Sequence, residues 1–201
     1  MIIFDVTHYT NSCYVEKLLD MAFFYHNYVL YIMKGQSDVS KHYEIERKFL
    51  VSSIPALEKA RKKKILQYYT LVKGGRETRL RLEDGARCYL VHKAGSGMVR
   101  EEEQREVPGY CFRAMKPLAV SGIIRKTRYL MPYRGATIEL DVYGGKLRGL
   151  VVAEVEFPDE EAARAFVPPG WFGRELTEVK GYSNRSLAMR GLPRSFKGGR
   201  R

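Results

Sequence analysis

The stretch HYEIERKFLV, residues 42–51, places Glu44, Glu46 and Lys48 at every second position. Because the side chains of a β-strand alternate between its two faces, this spacing puts two carboxylates and one ammonium on the same face. The opposite face of this strand is mostly apolar. A charged stripe on one strand usually marks a solvent-exposed face, so the argument depends on whether the pattern returns on later strands.

Apolar and polar residues alternate in short segments along most of the remaining chain, and glycine-containing turns such as Gly74-Gly75 and Gly144-Gly145 separate many of them. The segments predict strands at 43–51, 65–73, 76–83, 87–94, 98–107, 122–132, 136–143 and 150–157. Helical patterns fit between them at 54–62, 109–118, 159–166 and 182–189. Many short strands with tight turns are typical of a closed antiparallel barrel, so we predict a mainly β member of the α+β class.

Charged residues share one face on most of these strands. With a two-residue period, the faces contain Glu77, Arg79, Arg81 and Glu83; Arg87 and Lys93; Arg100, Glu102, Gln104 and Glu106; Lys126 and Arg128; Glu139 and Asp141; and Glu154 and Glu156. In a simple barrel these faces would point to water. If amphipathic helices cover the outside, the charges instead point into the lumen. Such a lumen is tolerable when wet and filled with metal ions and phosphate. The residue pattern alone leaves both orientations open.

The chain of 201 residues has a net charge of +12, which indicates an anionic partner. The segment 190–201 contributes +5 and the segment 1–40 contributes −2, which leaves +9 for the body at 41–189. A basic body that also carries clustered acids suits a polyanion bound together with metal ions. A simple nucleic-acid binder has less use for the carboxylates, so we expect no nucleic-acid partner.

The two ends of the chain differ from the body. Residues 1–41 read as an extension and linker, and translation starting near Met33 or an amphipathic helix are both open interpretations. The apolar run at 18–33 is shorter than a membrane span and is interrupted by polar residues, so no membrane partner is expected. Residues 191–201 read as a basic, disordered tail. Three distant cysteines suggest neither a zinc site nor disulfides, which favours reduced thiols and a cytoplasmic location.

An ordered set of motifs resembles the CYTH superfamily, the triphosphate tunnel metalloenzymes. The matching segments are ExExK at 44–48, RxR at 79–81, a lone Lys93, RxE at 100–102, KTRY at 126–129, ELDV at 139–142, AEVEF at 153–157, FVPPGWFG at 166–173 and ELTEVKGYSNRSLA at 175–188. The likeness is greatest to the small bacterial inorganic triphosphatases. It implies an eight-stranded antiparallel β-barrel over residues 42–190, with a charged tunnel inside and helices packed outside.

The resemblance also implies site roles. Phosphate-binding residues would be Lys48, Arg79, Arg81, Lys93, Lys126 and Arg128. Ligands for Mg²⁺ or Mn²⁺ would be Glu44, Glu46, Glu102, Glu139, Asp141, Glu154 and Glu156. Catalytic residues would be Glu44, Glu46 and Lys48, with either glutamate as general base or water-positioning group.

Several of these roles have alternatives. Glu139 and Asp141 are alternatively partners that hold a lysine or arginine. Glu77 and Glu83 fit the rim of the barrel, and Tyr69 fits either the tunnel wall or the core. A further set in the closing segment either lines the site or caps the last helix and seals the barrel mouth: Lys180, Tyr182 and Asn184.

One position departs from the family pattern. The fifth strand usually reads R-x-E-x-E, but here the second acidic position is Gln104. A glutamine keeps a carbonyl oxygen and lacks the charge. A β-bulge that shifts Glu103 or Glu106 into the lumen would restore an acid at this place.

The leading functional hypothesis is metal-dependent hydrolysis of inorganic triphosphate (tripolyphosphate) to pyrophosphate and phosphate. Within the same superfamily, thiamine triphosphatase and class IV adenylyl cyclase activities are alternatives. The alternative from another class is a non-catalytic sensor that binds polyphosphate or nucleotides. A homodimer is common for such barrels, and the sequence does not decide the oligomeric state.

Overall fold

The computed structural model describes residues 40–95 and 97–196. Nine β-strands make up most of this region. They are β1 (Ser40–Val51), β2 (Arg61–Lys73), β3 (Arg76–Glu83), β4 (Arg87–Ala94), β5 (Val99–Val107), β6 (Ile124–Tyr133), β7 (Ala136–Tyr143), β8 (Val151–Phe157) and β9 (Phe172–Glu175). Three short α-helices accompany them: α1 (Cys111–Ala114), α2 (Glu160–Ala165) and α3 (Asn184–Arg190).

The first eight strands form a closed antiparallel barrel. Their order is β5-β4-β3-β2-β6-β7-β8-β1, and a further pairing between β1 and β5 closes the ring. Closure leaves none of these eight strands with a free edge. The ninth strand pairs with the end of β1, where Phe49 lies opposite Glu175 and Val51 opposite Phe172. The predicted eight-stranded barrel is therefore confirmed, and β9 is an addition that the sequence pattern did not predict.

The barrel has its apolar faces outside. One outer cluster packs the closing segment and α3 against β6, β7 and β8. Its buried members are Ile124, Tyr143, Leu147, Leu150, Val152, Leu176, Tyr182 and Leu187. On another side, α1 covers β2, where Tyr68 donates a hydrogen bond from its hydroxyl to the carbonyl of Phe112 at 2.7 Å. Since these elements cover the outer surface, the charged faces point into the lumen.

A second outer cluster lies under the segment that leads into β9. Ile138, Ala153 and Val155 form its buried centre, and the rings of Phe166 and Trp171 pack on it. The segment at 166–173 therefore covers β7 and β8 and continues into β9.

Helix boundaries follow local capping signals in two cases. Asp159 accepts a hydrogen bond from the backbone N–H of Ala162 at 2.7 Å and starts α2. Ser183 does the same for Ser186 at 3.1 Å and starts α3. The latter helix ends where Gly191 adopts a φ of +79°, which an L-residue with a side chain rarely takes up. Both helices lie within the predicted ranges 159–166 and 182–189, apart from the last residue of α3.

Two predicted helices need correction. The prediction at 54–62 is wrong: this segment is irregular, with one turn closed by Ala60 N–H on the carbonyl of Leu57, and β2 already begins at Arg61. Pairing of β2 with β6, from Arg61 opposite Leu130 onward, outweighs the helical propensity of the lysine-rich run. The helix predicted at 109–118 is shorter in the structure, where this segment forms α1 and a separate 3₁₀ turn at Lys116–Leu118.

The predicted tail is partly ordered. Leu192 and Phe196 pack against the outer cluster that holds α3, so the expectation of disorder over 191–201 is wrong at these two residues. The predicted extension at 1–41 lies almost wholly outside the described residues. Within the described part, no helix is long and apolar enough to cross a membrane. Cys88 and Cys111 are buried free thiols, and burial raises the pKa of Cys88 to about 12.

Candidate active site in the barrel lumen

The lumen is a cavity of about 240 Å³ with a strongly charged wall. Among the described lining residues, nine are lysine or arginine and seven are glutamate. The basic residues are Lys48, Lys63, Arg79, Arg81, Lys93, Arg100, Lys126, Arg128 and Arg185. The acidic residues are Glu44, Glu46, Glu77, Glu102, Glu139, Glu154 and Glu156. The formal excess of two positive charges suits an anion, and the many acids indicate that the anion is not bound by cations of the protein alone.

One ion-pair group joins β1, β6 and β8. Glu154 lies directly opposite Lys48 in the β1–β8 ladder and is 2.8 Å from its Nζ. The other oxygen of Glu154 accepts from Arg128 at 2.6 Å. Burial alone would raise the pKa of Glu154, but Lys48, Lys126 and Arg128 hold it well below its usual range. The group is therefore ionised and fixed on the wall.

Lys48 stays charged in this group. Burial lowers the pKa of a lysine, but Glu154 and Glu46 offset this effect and raise the pKa of Lys48 above its ordinary value. An ammonium that stays protonated is suited to binding phosphate oxygens. It is not suited to exchanging a proton at neutral pH.

A second group joins β1, β4 and β5. Lys93 lies 2.5 Å from both Glu44 and Glu102. Arg100 contacts Glu44 at 2.9 Å and Glu46 at 2.5 Å. Burial opposes ionisation of Glu44, but Lys93 and Arg100 lower its pKa overall. These contacts hold the carboxylates of β1 beside the cations of β4 and β5.

Asp141 serves as a partner for two cations. It is fully buried and accepts hydrogen bonds from Lys126 and from Arg128, the latter at 2.7 Å to each oxygen. It does not line the cavity. The prediction of Asp141 as a metal ligand does not fit this environment, because both of its oxygens are engaged with buried cations. Its alternative role as a holder of lysine and arginine does fit.

Glu139 reaches the lumen from the neighbouring position on β7. It lies directly opposite Glu154 and accepts a hydrogen bond from Arg128. Burial raises the pKa of Glu139, and Asp141 and Glu154 add to the effect, while Arg128 opposes it. At Glu139, burial and the two neighbouring carboxylates therefore outweigh the effect of Arg128.

Glu156 has no cationic partner within ion-pair distance in the described part of the chain. It lies directly opposite Glu46 in the β1–β8 ladder and lines the lumen. Glu156 is exposed to solvent, but its partial burial and repulsion from Glu139, Glu44 and Glu46 raise its pKa to about 7. Like charges opposite each other in a sheet are destabilising unless a cation lies between them. Glu46 and Glu156 are thus two like charges that face each other across the β1–β8 ladder, and Arg100 and Lys48 compensate only the first of them by direct contact.

Gln104 remains at the position where the family pattern has an acid. The β4–β5 ladder runs regularly past it, with Val91 opposite Gln104 and Lys93 opposite Glu102. No bulge is present here, so Glu103 stays on the other face of β5. Glu106 pairs with Arg87 at 2.7 Å on the exposed rim. The idea that one of these glutamates replaces the missing acid is therefore wrong.

The closing segment borders one end of the lumen. Arg185 points toward Glu77 at 3.5 Å, and the side-chain oxygen of Asn184 accepts from the hydroxyl of Tyr143 at 2.7 Å. Tyr182 is buried in the outer cluster, and Lys180 lines a smaller cavity that shares Arg100 with the lumen. The segment therefore both seals the barrel and contributes polar groups to the site.

The lumen includes all thirteen predicted site residues except Asp141. Sequence reasoning left out Arg100, Lys63 and Arg185. Arg100 shares its strand face with Glu102, so the two-residue period was a sufficient signal. Lys63 was missed because it lies between the predicted helix at 54–62 and the predicted strand at 65–73, whereas β2 begins at Arg61. Arg185 lies at the start of α3, where no strand period applies. Of the rim glutamates, Glu83 is bound by Lys63 at 3.1 Å, but Glu77 lines the lumen.

Tyr69 belongs to the buried wall of β2. It is fully buried and lies opposite Arg79 in the β2–β3 ladder, but it is absent from the lining of the lumen. It lies on the same face of β2 as Ile65 and Gln67, which line the lumen. Burial and Glu77 raise the pKa of its hydroxyl, while Arg79 and Lys48 oppose this, so the tyrosine belongs to the tunnel wall behind the lining residues.

The lumen has carboxylates that a divalent cation would need as ligands, although most of them form ion pairs with lysine or arginine. Among the described residues, no three His, Cys, Asp or Glu side chains converge into a ready ligand group. Carboxylate oxygens are nevertheless the ligands that Mg²⁺ and Mn²⁺ prefer. In the opposed pair Glu46 and Glu156, the first carboxylate is held by Arg100 and Lys48, and the second has no cation within ion-pair distance among the described residues. The oxygen donors of this pair fit a divalent ion, with Glu156 as the carboxylate whose charge is not compensated.

Comparison with curated proteins gives two strong matches. An inorganic triphosphatase of Nitrosomonas europaea is 39% identical over 148 residues, which is 73% of this chain and 97% of that protein. An inorganic triphosphatase of Acetivibrio thermocellus is 34% identical over 145 residues, or 72% of this chain and 92% of that protein. The chain belongs to the inorganic triphosphatase family. The resemblance to the CYTH superfamily inferred from the sequence motifs is thereby confirmed.

The fold of this chain is similar to that of a solved inorganic triphosphatase. The crystal structure of the inorganic triphosphatase NE1496 is 35% identical, with a TM-score of 0.57 over 75% of this chain and 97% of that chain. A scan against protein-family models found no match.

Proposed function

We propose that this protein hydrolyses inorganic triphosphate to pyrophosphate and phosphate inside the barrel, with the help of a divalent metal ion. The observation that carries the proposal is the lumen itself, where nine cations and seven carboxylates line one small cavity. In the reaction, water forms a new P–O bond to one phosphorus atom and the bridging P–O bond to the neighbouring phosphate breaks. The leaving pyrophosphate takes the electron pair of that bond.

The cations supply the binding of the phosphate chain. Lys48, Arg79, Lys93 and Arg128 project from different strands into the same cavity, so they meet a linear polyanion from several sides. Arginines bind phosphate oxygens in a forked geometry, and lysines act as point charges. Because most of these cations are held by carboxylates in the structure, their positions are fixed before a substrate enters. Preorganised charge of this kind stabilises a transition state that carries negative charge.

A divalent ion would be held by Glu46 and Glu156, supported by Glu44 and Glu139. The excess of two positive charges in the lumen is smaller than the charge of an ionised linear triphosphate. When bound, a Mg²⁺ or Mn²⁺ ion would neutralise phosphate oxygens and lower the pKa of the attacking water. The identity of this ion as Mg²⁺ or Mn²⁺ is part of the proposal.

Glu46 is the better candidate than Glu44 for positioning the attacking water. The pKa of Glu44 is lowered by Lys93 and Arg100, so this carboxylate is a weak base. Glu46 contacts Arg100 at 2.5 Å and Lys48 at 3.7 Å, and it lies opposite Glu156, which no cation of the described segments reaches within ion-pair distance. Lys48 then binds phosphate and does not exchange protons.

The lumen wall favours an inorganic substrate over a nucleotide or thiamine triphosphate. Among the described lining residues, Ile65 is the one aliphatic side chain and none is Phe, Tyr or Trp. An organic base or a thiamine ring binds best against aromatic and apolar surface. The alternatives of a thiamine triphosphatase or an adenylyl cyclase therefore lack an evident place for the organic group.

The test of this proposal is phosphate release from tripolyphosphate, ATP and thiamine triphosphate, each with Mg²⁺, with Mn²⁺ and with excess EDTA. We expect release that requires metal and is at least about tenfold faster with tripolyphosphate than with either other substrate. Equal rates on ATP would support a nucleotide enzyme instead. Tight, chelator-sensitive binding of tripolyphosphate without any release would support the sensor alternative.

The remaining expectations about partners and location stay predictions. They are the absence of a nucleic-acid partner, the homodimer and the cytoplasmic location. The free thiols of Cys88 and Cys111 are compatible with a reducing compartment.

A further inference from the structure

Arg81 is less neutralised than Lys93, Arg100 and Arg128, three other cations of the lumen. Its one carboxylate partner within ion-pair distance, among the described residues, is Glu83 at 3.2 Å. Glu83 is shared with Lys63, which lies 3.1 Å from it. In contrast, Arg128 contacts three carboxylates, and Lys93 and Arg100 contact two each. A surplus of positive charge therefore remains around Arg81.

Gln104 is the reason for this surplus. The Arg81 guanidinium donates a hydrogen bond to the side-chain oxygen of Gln104 at 2.6 Å. Because a guanidinium has only donors, the carbonyl end of the amide must face it. An acid at position 104 would add a second carboxylate to Arg81 at this same distance. The amide oxygen of Gln104 accepts the hydrogen bond from Arg81, but it carries no negative charge and therefore does not neutralise the guanidinium.

The neighbours of Arg81 include two further cations of the lumen, Arg79 and Arg128. Arg79 is on the same face of β3, and its contact to Glu102 is long, at 3.9 Å. Burial is the largest cause that lowers the pKa of Arg81, and Arg79 and Arg128 add to it, while Glu83 and Glu102 oppose it. The Arg81 side chain also lies over the ring of Tyr89, 5.1 Å from the centroid, so its position is supported by packing. Fixed, crowded cations with few carboxylates are suited to an anion and unsuited to a metal ion.

We propose that Gln104 is a specificity-determining residue that makes the Arg81 end of the lumen a metal-free subsite for a terminal phosphate group. This rests on the proposed function, because the anion is taken to be an inorganic polyphosphate. The lumen then has two unlike parts: a cationic part at Arg79 and Arg81, and a metal-binding part at Glu46 and Glu156. A triphosphate would lie with one end on each part.

The proposal predicts that charge, and not shape, matters at position 104. Gln104→Glu adds one negative charge with almost no change in size, and Gln104→Met keeps the size without charge or amide. We expect Gln104→Glu to weaken binding of tripolyphosphate in EDTA, measured by titration calorimetry, by about tenfold or more. We expect Gln104→Met to stay within about threefold of wild type, because the surplus charge is retained.

Kinetics in saturating Mg²⁺ supply a second readout. We expect Gln104→Glu to raise KM for tripolyphosphate by a similar factor and to change kcat by less than about threefold, because binding of the end group is what changes. Melting temperatures of the three proteins control for folding.

The two proposals fail in different ways. If Gln104→Glu binds like wild type, if both variants lose affinity equally, or if wild type has no affinity in EDTA, the subsite is overturned even when hydrolysis is normal. If wild type binds in EDTA and Gln104→Glu alone is weakened, the subsite stands even when no protein releases phosphate.

Discussion

Replacing Glu46 by glutamine is expected to lower kcat for tripolyphosphate hydrolysis by at least about 100-fold. Glutamine retains the size of the side chain and one carbonyl oxygen, so the barrel wall keeps its shape. It removes the negative charge that lies opposite Glu156 and that contacts Arg100 at 2.5 Å. The variant therefore loses a ligand charge for the metal and the group that positions water. Initial rates of phosphate release at saturating substrate measure this effect.

Two controls separate loss of the Glu46 charge in the lumen from a general effect of removing one negative charge. Glu103→Gln removes the same charge from the outer face of β5, and its kcat should stay within about twofold of wild type, as surface charge changes usually have small effects. Raising the Mn²⁺ concentration should recover part of the Glu46→Gln activity, because weakened metal binding is one part of the loss. A Glu46→Gln protein with wild-type kcat would remove this glutamate from the mechanism.

Removing the charge of Asp141 is expected to lower the free energy of unfolding by about 3–5 kcal/mol. Asp141 is fully buried, and it is the carboxylate that Lys126 contacts within ion-pair distance among the described residues. In Asp141→Asn, the ammonium of Lys126 remains buried, at 5% exposure, without a compensating charge. Arg128 still has Glu139 and Glu154 as partners, so most of the loss in the free energy of unfolding comes from the uncompensated charge of Lys126. Urea unfolding at neutral pH measures the change.

A second substitution tests the cause of that loss. Replacing Lys126 by methionine in the Asp141→Asn background removes the uncompensated charge and should recover a substantial part of the stability. As a surface comparison, Glu160→Gln breaks the exposed pair with Arg164, whose side chains are 47% and 71% exposed, and should cost less than about 1 kcal/mol. If Asp141→Asn is as mild as Glu160→Gln, the buried pair is not a structural element of the barrel.

The sequence predicted the barrel well because a two-residue period is a strong local signal. Glu44, Glu46 and Lys48 show it in one strand, and the same period carries through to Glu154 and Glu156. The direction in which the charged faces point was not decided by the period. The elements that cover the outside decide it, as Tyr182 and Leu187 do on one side of the barrel. Residue pattern alone left this open, and the family resemblance supplied the correct orientation.

Other parts of the site depend on contacts that no local pattern contains. The lysine-rich run at the start of β2 has helical propensity, but pairing with β6 makes it a strand and brings Lys63 to Glu83. Asp141 is predicted from the sequence as a metal ligand or as a partner of cations, and its buried contacts with Lys126 and Arg128 fit the second role. The state of Gln104 depended on whether the ladder has a bulge, which only the β4–β5 register reveals.

The central claim is that a triphosphate and a metal ion are bound together inside the barrel. The most direct measurement is anomalous diffraction at the manganese edge from crystals of the Glu46→Gln and wild-type proteins grown with Mn²⁺ and tripolyphosphate. In wild type, we predict an anomalous peak in the lumen beside Glu46 and Glu156, with phosphate density extending toward Arg79 and Arg81. In Glu46→Gln, we predict a weaker peak at the same place. Manganese and phosphate found only on the outer surface, in crystals of an active protein, would contradict the account.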